Sequence, residues 1–260
     1  GYTFTIYRHD RENKSSLCES NISCIFEDSD GFLWIGTEGG GLNRFDPHTD
    51  AFLRIYLNSP VPVGLKGNKI SAIMEDRGGN LWIGTYSGLF KLNKLNRQDP
   101  NPSKKNQTLP PGSLTLYVNE PGNMHSLSHN LVTSVVEADE NHLWVGTYGG
   151  GLNKLERRTG KITRFAAGDS RPGGLSGNRI QCMHMDSAGD LWIGMEMGGL
   201  NKLDKSTGTF TRYSYRPGVT GSLSSNNVYR ILEDSGGTFW IGTANGLNKL
   251  DPVNGTAVRY

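Results

Sequence analysis

The chain is short of cysteine, of excess charge of either sign and of long apolar runs, and each shortage excludes a class of protein. Lys and Arg total 27 against 25 Asp and Glu, a net charge of 27 − 25 = +2, and the basic residues are scattered. No electropositive track is left for a phosphate backbone, so nucleic acid is not an expected partner. The three cysteines are Cys18, Cys24 and Cys182. They cannot staple a disulfide scaffold, and they lack metal-ligand spacing, so neither a metal nor a cofactor is expected. No apolar run approaches the ~20 residues that cross a bilayer, so this segment is not expected to insert in a membrane. Gly1 to Asp10 also lack the basic start and apolar stretch of a signal peptide. Hydrophobic residues are 35% of the 260, enough to bury a core without covalent staples.

Glycine is what the chain has in abundance, 35 of 260 residues, roughly twice the usual share. It follows no three-residue period, which excludes collagen, and it is interleaved with Trp, Ile and Leu, which argues against disorder. The reason lies in a repeat. Leu33-Trp34-Ile35-Gly36-Thr37 recurs as Leu81–Thr85, Leu143–Thr147, Leu191–Met195 and Phe239–Thr243, with the tryptophans 48, 62, 48 and 48 apart. All five tryptophans sit in this motif. The long interval holds an insertion, 96–113, rich in Pro, Asn and Lys, which reads as a solvated loop.

Each unit carries four strand signals. An apolar segment ending in acid (Ile22–Asp28, Val228–Asp234) leads through a Gly-containing turn to the Trp strand. A Gly-rich turn leads to the third (Leu42–Phe45, Leu152–Leu155), and a turn such as Asp251-Pro252-Val253-Asn254-Gly255 to the fourth (Thr209–Tyr213). Four short strands per ~45 residues make the blade of a β-propeller, so the fold is expected to be all-β. The Trp strand is apolar at successive positions, so both its faces must be covered, as stacked blades cover them. The Gly two residues after each Trp leaves room for a neighbouring blade. The expected organisation is one domain, 1–260, with blades near 18–56, 66–118, 127–165, 175–213 and 223–260. Thr3–Tyr7 is patterned like Thr209–Tyr213, so an extra outer strand is expected at 2–8. A closed ring of five is favoured because an open arc exposes apolar faces; an arc of a larger ring is the alternative.

The unit E-D-x-x-G-x-L-W-I-G-T-x-x-G-G-L-N-x-x-D, followed by an aromatic-basic-aromatic strand, resembles the two-component regulator propeller repeat. The resemblance covers all five units. It implies a bacterial, extracytoplasmic or periplasmic sensor region of a hybrid histidine kinase, non-catalytic and often tied to carbohydrate uptake. Its partners would be a small-molecule or glycan ligand and signalling domains in the same polypeptide or a partner chain. Unlike full-length members, the chain has five repeats rather than seven and no kinase, receiver or DNA-binding segment.

With strands a to d running outward from the axis, the b–c turns and d–a crossovers share one face. The b–c turns bring Glu38, Tyr86, Tyr148, Glu196 with Met197, and Ala244 with Asn245 near the axis, and these vary from unit to unit. Two tyrosines and two carboxylates suit a sugar, by stacking and by accepting hydroxyl hydrogen bonds. Ordinary turn variation on a solvated rim is the alternative. On the inner strand, Arg230 stands where the other units have Cys24, Ala72, Ser134 and Cys182. The small residues fit a converging core, with the cysteines as free thiols. A buried Arg230 would need water, a carboxylate or an anionic ligand.

Other signals read as structure. Gly36–Gly41 lies between strands and opens no helix, so it is not a phosphate cradle. His125 and His129 fall in a crossover, and Asp28-Ser29-Asp30-Gly31 is a hairpin turn rather than a calcium loop. Asn43, Asn153, Asn201 and Asn248 recur where unit two has Phe90; a catalytic residue is needed once, so these are expected to cap backbone. No nucleophile–base constellation is present, and the chain is not expected to be an enzyme. The candidate ligand set is Glu38, Tyr86, Tyr148, Glu196, Asn245 and Arg230. A protein-interaction or self-association scaffold, including a homo-oligomer, is the second reading. A lyase or glycoside-acting enzyme using Glu38 and Glu196 is the third.

Overall fold

The computed structural model describes residues 4–55, 69–94, 112–168 and 173–260. Their regular elements are twenty β-strands in five four-stranded antiparallel sheets. Blade 1 is β1 (Ile22–Glu27), β2 (Leu33–Thr37), β3 (Leu42–Asp46) and β4 (Ala51–Ile55); blade 2 is β5 (Ile70–Glu75), β6 (Leu81–Thr85), β7 (Gly88–Leu92) and β8 (Leu114–Tyr117). Blade 3 is β9 (Val132–Glu137), β10 (His142–Thr147), β11 (Gly151–Glu156) and β12 (Ile162–Phe165). Blade 4 is β13 (Ile180–Met185), β14 (Leu191–Met195), β15 (Leu200–Leu203) and β16 (Phe210–Tyr213); blade 5 is β17 (Val228–Glu233), β18 (Phe239–Thr243), β19 (Gly246–Asp251) and β20 (Thr256–Arg259). Each sheet is a meander, so these are the four-stranded blades of a β-propeller. Two compact units hold them: Gly1–Val118 carries blades 1 and 2, and Asn119–Tyr260 carries blades 3, 4 and 5.

Glycine sets the approach of neighbouring blades. A Cβ built on Gly36 would lie 2.7 Å from Cβ of Ile70, which heads the inner strand of blade 2. Gly146 stands in the same relation to Ile180 at 2.6 Å, and Gly194 to Val228 at 2.7 Å. At these three junctions one blade offers a glycine socket and the next fills it with a β-branched plug. Around each socket the Trp face of one blade packs on the apolar face of the next. Trp34 joins Ile70, Leu81, Ile83 and Phe90 in one cluster, and Trp192 joins Val228, Phe239 and Ile241 in another.

The acid that ends each first strand has a further task. Asp28 accepts the indole N–H of Trp34 at 2.6 Å and the backbone N–H groups of Asp30 and Phe32 at 3.0 Å. Asp76, Asp186 and Asp234 accept from Trp82, Trp192 and Trp240 at 2.8, 2.8 and 2.9 Å. One carboxylate therefore shapes the a–b turn and satisfies a half-buried or buried indole. The bond from Trp240 holds the Asp234 carboxyl below the usual range. Blade 3 has Ala138 there, and Asp139, one position on, bonds Asn141 and His142 instead.

The recurrent asparagines cap backbone as expected. Asn153 is fully buried; its Oδ1 accepts Ser128 N–H at 2.9 Å and its Nδ2 donates to Val145 O at 3.2 Å. Asn43, Asn201 and Asn248 hold Cys18, Ser176 and Ser224 in the same way. Opposite each in register is a fourth-strand arginine, Arg54, Arg164, Arg212 or Arg259. Its guanidinium donates to crossover carbonyls, as Arg164 does to Ser126 O at 2.9 Å and Leu127 O at 2.9 Å. Together the pair clamps the d–a crossover to its blade. Blade 2 replaces both members, pairing Phe90 with Leu116 in an apolar cluster.

One expectation changes. Residues 4–8 form no strand: Phe4 and Ile6 are exposed, and Tyr7 packs edge-on against Phe45 and Phe52 with its hydroxyl on Asp50. A fourth strand needs a third-strand edge to pair with, and β20 occupies the outer edge of β19. Arg230 is exposed, so it reaches water, the first of the alternatives its charge required, and it donates to the neighbouring Tyr229 carbonyl at 3.3 Å. Cys182 is a buried free thiol, pushed up to about 12 by burial, while Cys24 is half-buried. The insertion lies outside the described residues except for Gly112 and Ser113.

Candidate functional site

The b–c turns are tied to the inner strands by one repeated bond. Glu38, Tyr86, Tyr148, Glu196 and Ala244 donate their backbone N–H to the carbonyls of Asn21, Lys69, Leu131, Arg179 and Asn227, at 3.0, 3.3, 2.8, 2.9 and 3.0 Å. The side chain just ahead of strand a therefore stands beside the turn. In two blades that side chain is a cation.

In the first unit, Lys69 Nζ lies 2.8 Å from Glu38 Oε1 and 5.3 Å from the centroid of the Tyr86 ring. The hydrogen bond to Glu38 raises the Lys69 pKa against the opposing effect of burial, so the ammonium stays charged. Tyr86 remains 44% exposed. Lys69 thus links two of the expected site residues, on blades 1 and 2. The cation–π contact is worth about 0.5–1 kcal/mol at an exposed site.

The second unit builds the same set with the two blades exchanged. Arg179 lies over the Tyr148 ring, 5.5 Å from its centroid, and its Nη1 is 3.3 Å from Glu196 Oε1. Tyr148 donates its hydroxyl to Glu196 Oε2, which also accepts from Gln181 Nε2 at 3.3 Å. Here tyrosine comes from the earlier blade and glutamate from the later one; in the first unit glutamate comes first. Each inner strand carries a β-bulge between its first and third residues, and Gln181 is the bulged residue of β13.

Asn245 and Arg230 stand apart from this set. Asn245 turns its amide to Ser224 O at 3.3 Å and its N–H to Thr243 Oγ1. Met197 holds a left-handed backbone, φ 61°, with its N–H on Asn227 Oδ1 at 2.7 Å and its side chain 74% exposed. Sequence reasoning missed Lys69, Arg179 and Gln181. The signal was available: Asn21, Lys69, Leu131, Arg179 and Asn227 share one repeat position, and it holds a cation twice.

Chemically, each set offers a cation, an aromatic ring and a carboxylate acceptor to a polar ligand. Among the described residues, no group of three or more His, Cys, Asp and Glu could hold a metal ion. His129 Nδ1 accepts from Leu131 N–H within its crossover, and the His125 carbonyl accepts from Ile162.

Solved structures place this geometry among known proteins. The chain is similar to the extracellular domain of a hybrid two component system from Bacteroides thetaiotaomicron, 27% identical over 92% of this chain with a TM-score of 0.72. It spans 29% of that chain's length. It shares its fold with virginiamycin B lyase from Staphylococcus aureus (12% identity, 95% of this chain and 70% of that one, TM-score 0.63). It also shares it with PorZ, a surface component of the type-IX secretion system of Porphyromonas gingivalis (18% identity, 93% and 34%, TM-score 0.65). No curated protein matches the sequence. The family described as two component regulator propeller matches five times, at 16–39, 64–87, 126–149, 174–197 and 222–245. Where it is described, each match runs through the inner and Trp strands to a b–c turn, so the five blades of this chain are two component regulator propeller repeats.

Proposed function

We propose that the chain is a non-catalytic sensor propeller that binds a carbohydrate on its b–c rim. The observation that carries this reading is the doubly built set of cation, tyrosine and glutamate. Repeated residues of the blades have structural partners, whereas this set is made from positions that differ between blades and combines them across a blade junction. A sugar ring offers an apolar face for tyrosine, and its hydroxyls can donate to glutamate and accept from Arg179, Lys69 or Gln181. Likeness to the extracellular domain of a hybrid two component system supports an extracytoplasmic, periplasmic location. It also supports an output passed to signalling domains in the same polypeptide or in a partner chain.

Calorimetric titration of the chain with a panel of oligosaccharides tests the proposal. Tyr148→Ala should weaken the bound glycan about fivefold, the loss of about 1 kcal/mol of aromatic contact, and Asp46→Ala should leave it unchanged. No binding across the panel, or equal binding by Tyr148→Ala, Tyr86→Ala and Glu196→Gln, refutes the site. Product release during the titration that is lost in Glu38→Gln or Glu196→Gln would show an enzyme instead.

A further inference from the structure

Neighbouring blades are joined by polar contacts as well as by plug and socket. One is a clip between the glutamate that ends the later blade's inner strand and the serine in the earlier blade's a–b turn. Glu75 accepts the N–H and hydroxyl of Ser29 at 2.6 and 2.9 Å, and Glu233 accepts both from Ser187 at 2.8 and 2.6 Å. The other is a latch from the bulged residue of the earlier blade's inner strand. Ser23 Oγ donates to the carbonyl of Ile70 at 2.5 Å, and Thr133 Oγ1 to that of Ile180 at 2.7 Å, so each hydroxyl holds the next blade's plug. A hydroxyl recurs at this position in the first three blades, as Ser23, Ser71 and Thr133.

Blade 4 has Gln181 there. The next plug is Val228, yet the Gln181 amide bonds within its own blade, Nε2 donating to Glu196 Oε2 at 3.3 Å. The same carboxylate oxygen accepts the Tyr148 hydroxyl, and the other accepts Arg179 Nη1 at 3.3 Å. A carboxylate only accepts, so the amide must present its NH2 to Glu196, which turns its carbonyl oxygen away. Gln181 Oε1 takes no bond from any described residue and is not buried. An unspent acceptor of fixed orientation thus stands in the cluster that holds Tyr148 and Arg179. A side chain kept only to latch the next blade would be Ser or Thr.

We propose that Gln181 is the specificity-determining residue of this set: its Oε1 accepts a hydrogen bond from the ligand, and Glu196 holds the amide in the orientation that offers it. The inference rests on the carbohydrate reading above and narrows it. The ligand must donate at this point, as a sugar hydroxyl does. A uronate carboxylate placed there would meet an acceptor beside Glu196 with no proton to offer. The latch is what blade 4 gives up, so recognition and junction stability oppose one another at this one position.

Calorimetry with xylo-, cello-, manno- and galactotetraose and with tetragalacturonate, together with urea unfolding, tests this on one set of variants. Gln181→Thr restores a latching hydroxyl. It should unfold at the same urea concentration as wild type or a higher one. It should also bind the neutral tetrasaccharide about five- to tenfold more weakly, the loss of one hydrogen bond. Combined with Glu196→Gln, the two losses of affinity should be less than additive, because the glutamate acts partly through Gln181. A Gln181→Thr that unfolds earlier than wild type would make Gln181 a structural member of the blade, and overturns the proposal. Full additivity with Glu196→Gln, or binding confined to tetragalacturonate, overturns it as well. A wild type that binds none of these sugars refutes the carbohydrate reading and this inference with it, whereas binding that Gln181→Thr keeps in full overturns this inference alone.

Discussion

The crossover clamp and the b–c rim are both polar and both stand at blade turns, yet they are distributed in opposite ways. Asn43, Asn153, Asn201 and Asn248 are each 0% exposed and make the same bonds in four blades. The rim has a cation in only two blades and exchanges Tyr and Glu between its two sets. Burial explains the difference. A buried amide missing a partner costs about 1–3 kcal/mol, so the clamp is kept whole or replaced whole. Blade 2 shows the second course, with Asn and Arg both exchanged for Phe90 and Leu116. Exposed groups on the rim lose little when they change partner, which leaves them free to vary.

Breaking the apolar version of the clamp should have the largest effect. Phe90→Asn removes a fully buried ring and puts an amide opposite Leu116, and should cost at least about 3–5 kcal/mol in urea unfolding. Asn153→Ala should follow at about 2–4 kcal/mol, since Ser128 N–H and Val145 O both lose a buried partner. Asp186→Ala should cost about 1–3 kcal/mol, because the Trp192 indole and the Asp190 N–H lose their acceptor. Blade 3 provides the control, as it already has Ala138 at that position. On the rim, Glu196→Gln should change stability by no more than about 1 kcal/mol, because the Arg179–Glu196 pair is partly solvated. A rim variant as costly as Asn153→Ala would erase the distinction.

Acid offers the finest test. The bonds from Ser187 hold the Glu233 carboxyl below its usual range, with a smaller contribution from His184 at 3.6 Å. A folded pKa below the unfolded one stabilises above the unfolded value of about 4.3, and that stabilisation is lost as pH falls through the folded value. The melting temperature of wild type should therefore fall more steeply below about pH 4 than that of Glu233→Gln. Parallel curves would show that the clip contributes nothing to the junction.

The blades were legible because their determinants are local. Turn glycines, the W-I-G-T strand and the acid before each turn lie within a few residues of one another, and apolar runs at both faces of a strand need neighbouring sheets. The sockets too could be anticipated, since a glycine following tryptophan leaves space and little else. Thr3–Tyr7 misled because a strand pattern does not carry a pairing partner.

The candidate site was legible as a set of turns, without its contacts. Sequence alone determined the five repeats, their meander and the variable turn residues Glu38, Tyr86, Tyr148 and Glu196. Only the tertiary structure decided that Lys69 and Arg179 join those turns, that Tyr148 bonds Glu196, and that Arg164 clamps Ser126. Those partners lie far apart along the chain, 48 residues for Tyr148 and Glu196 and 38 for Arg164 and Ser126. Backbone conformation responds to neighbours within a turn of chain. A side-chain bond across a junction exists only once packing has brought two blades to one distance and one register.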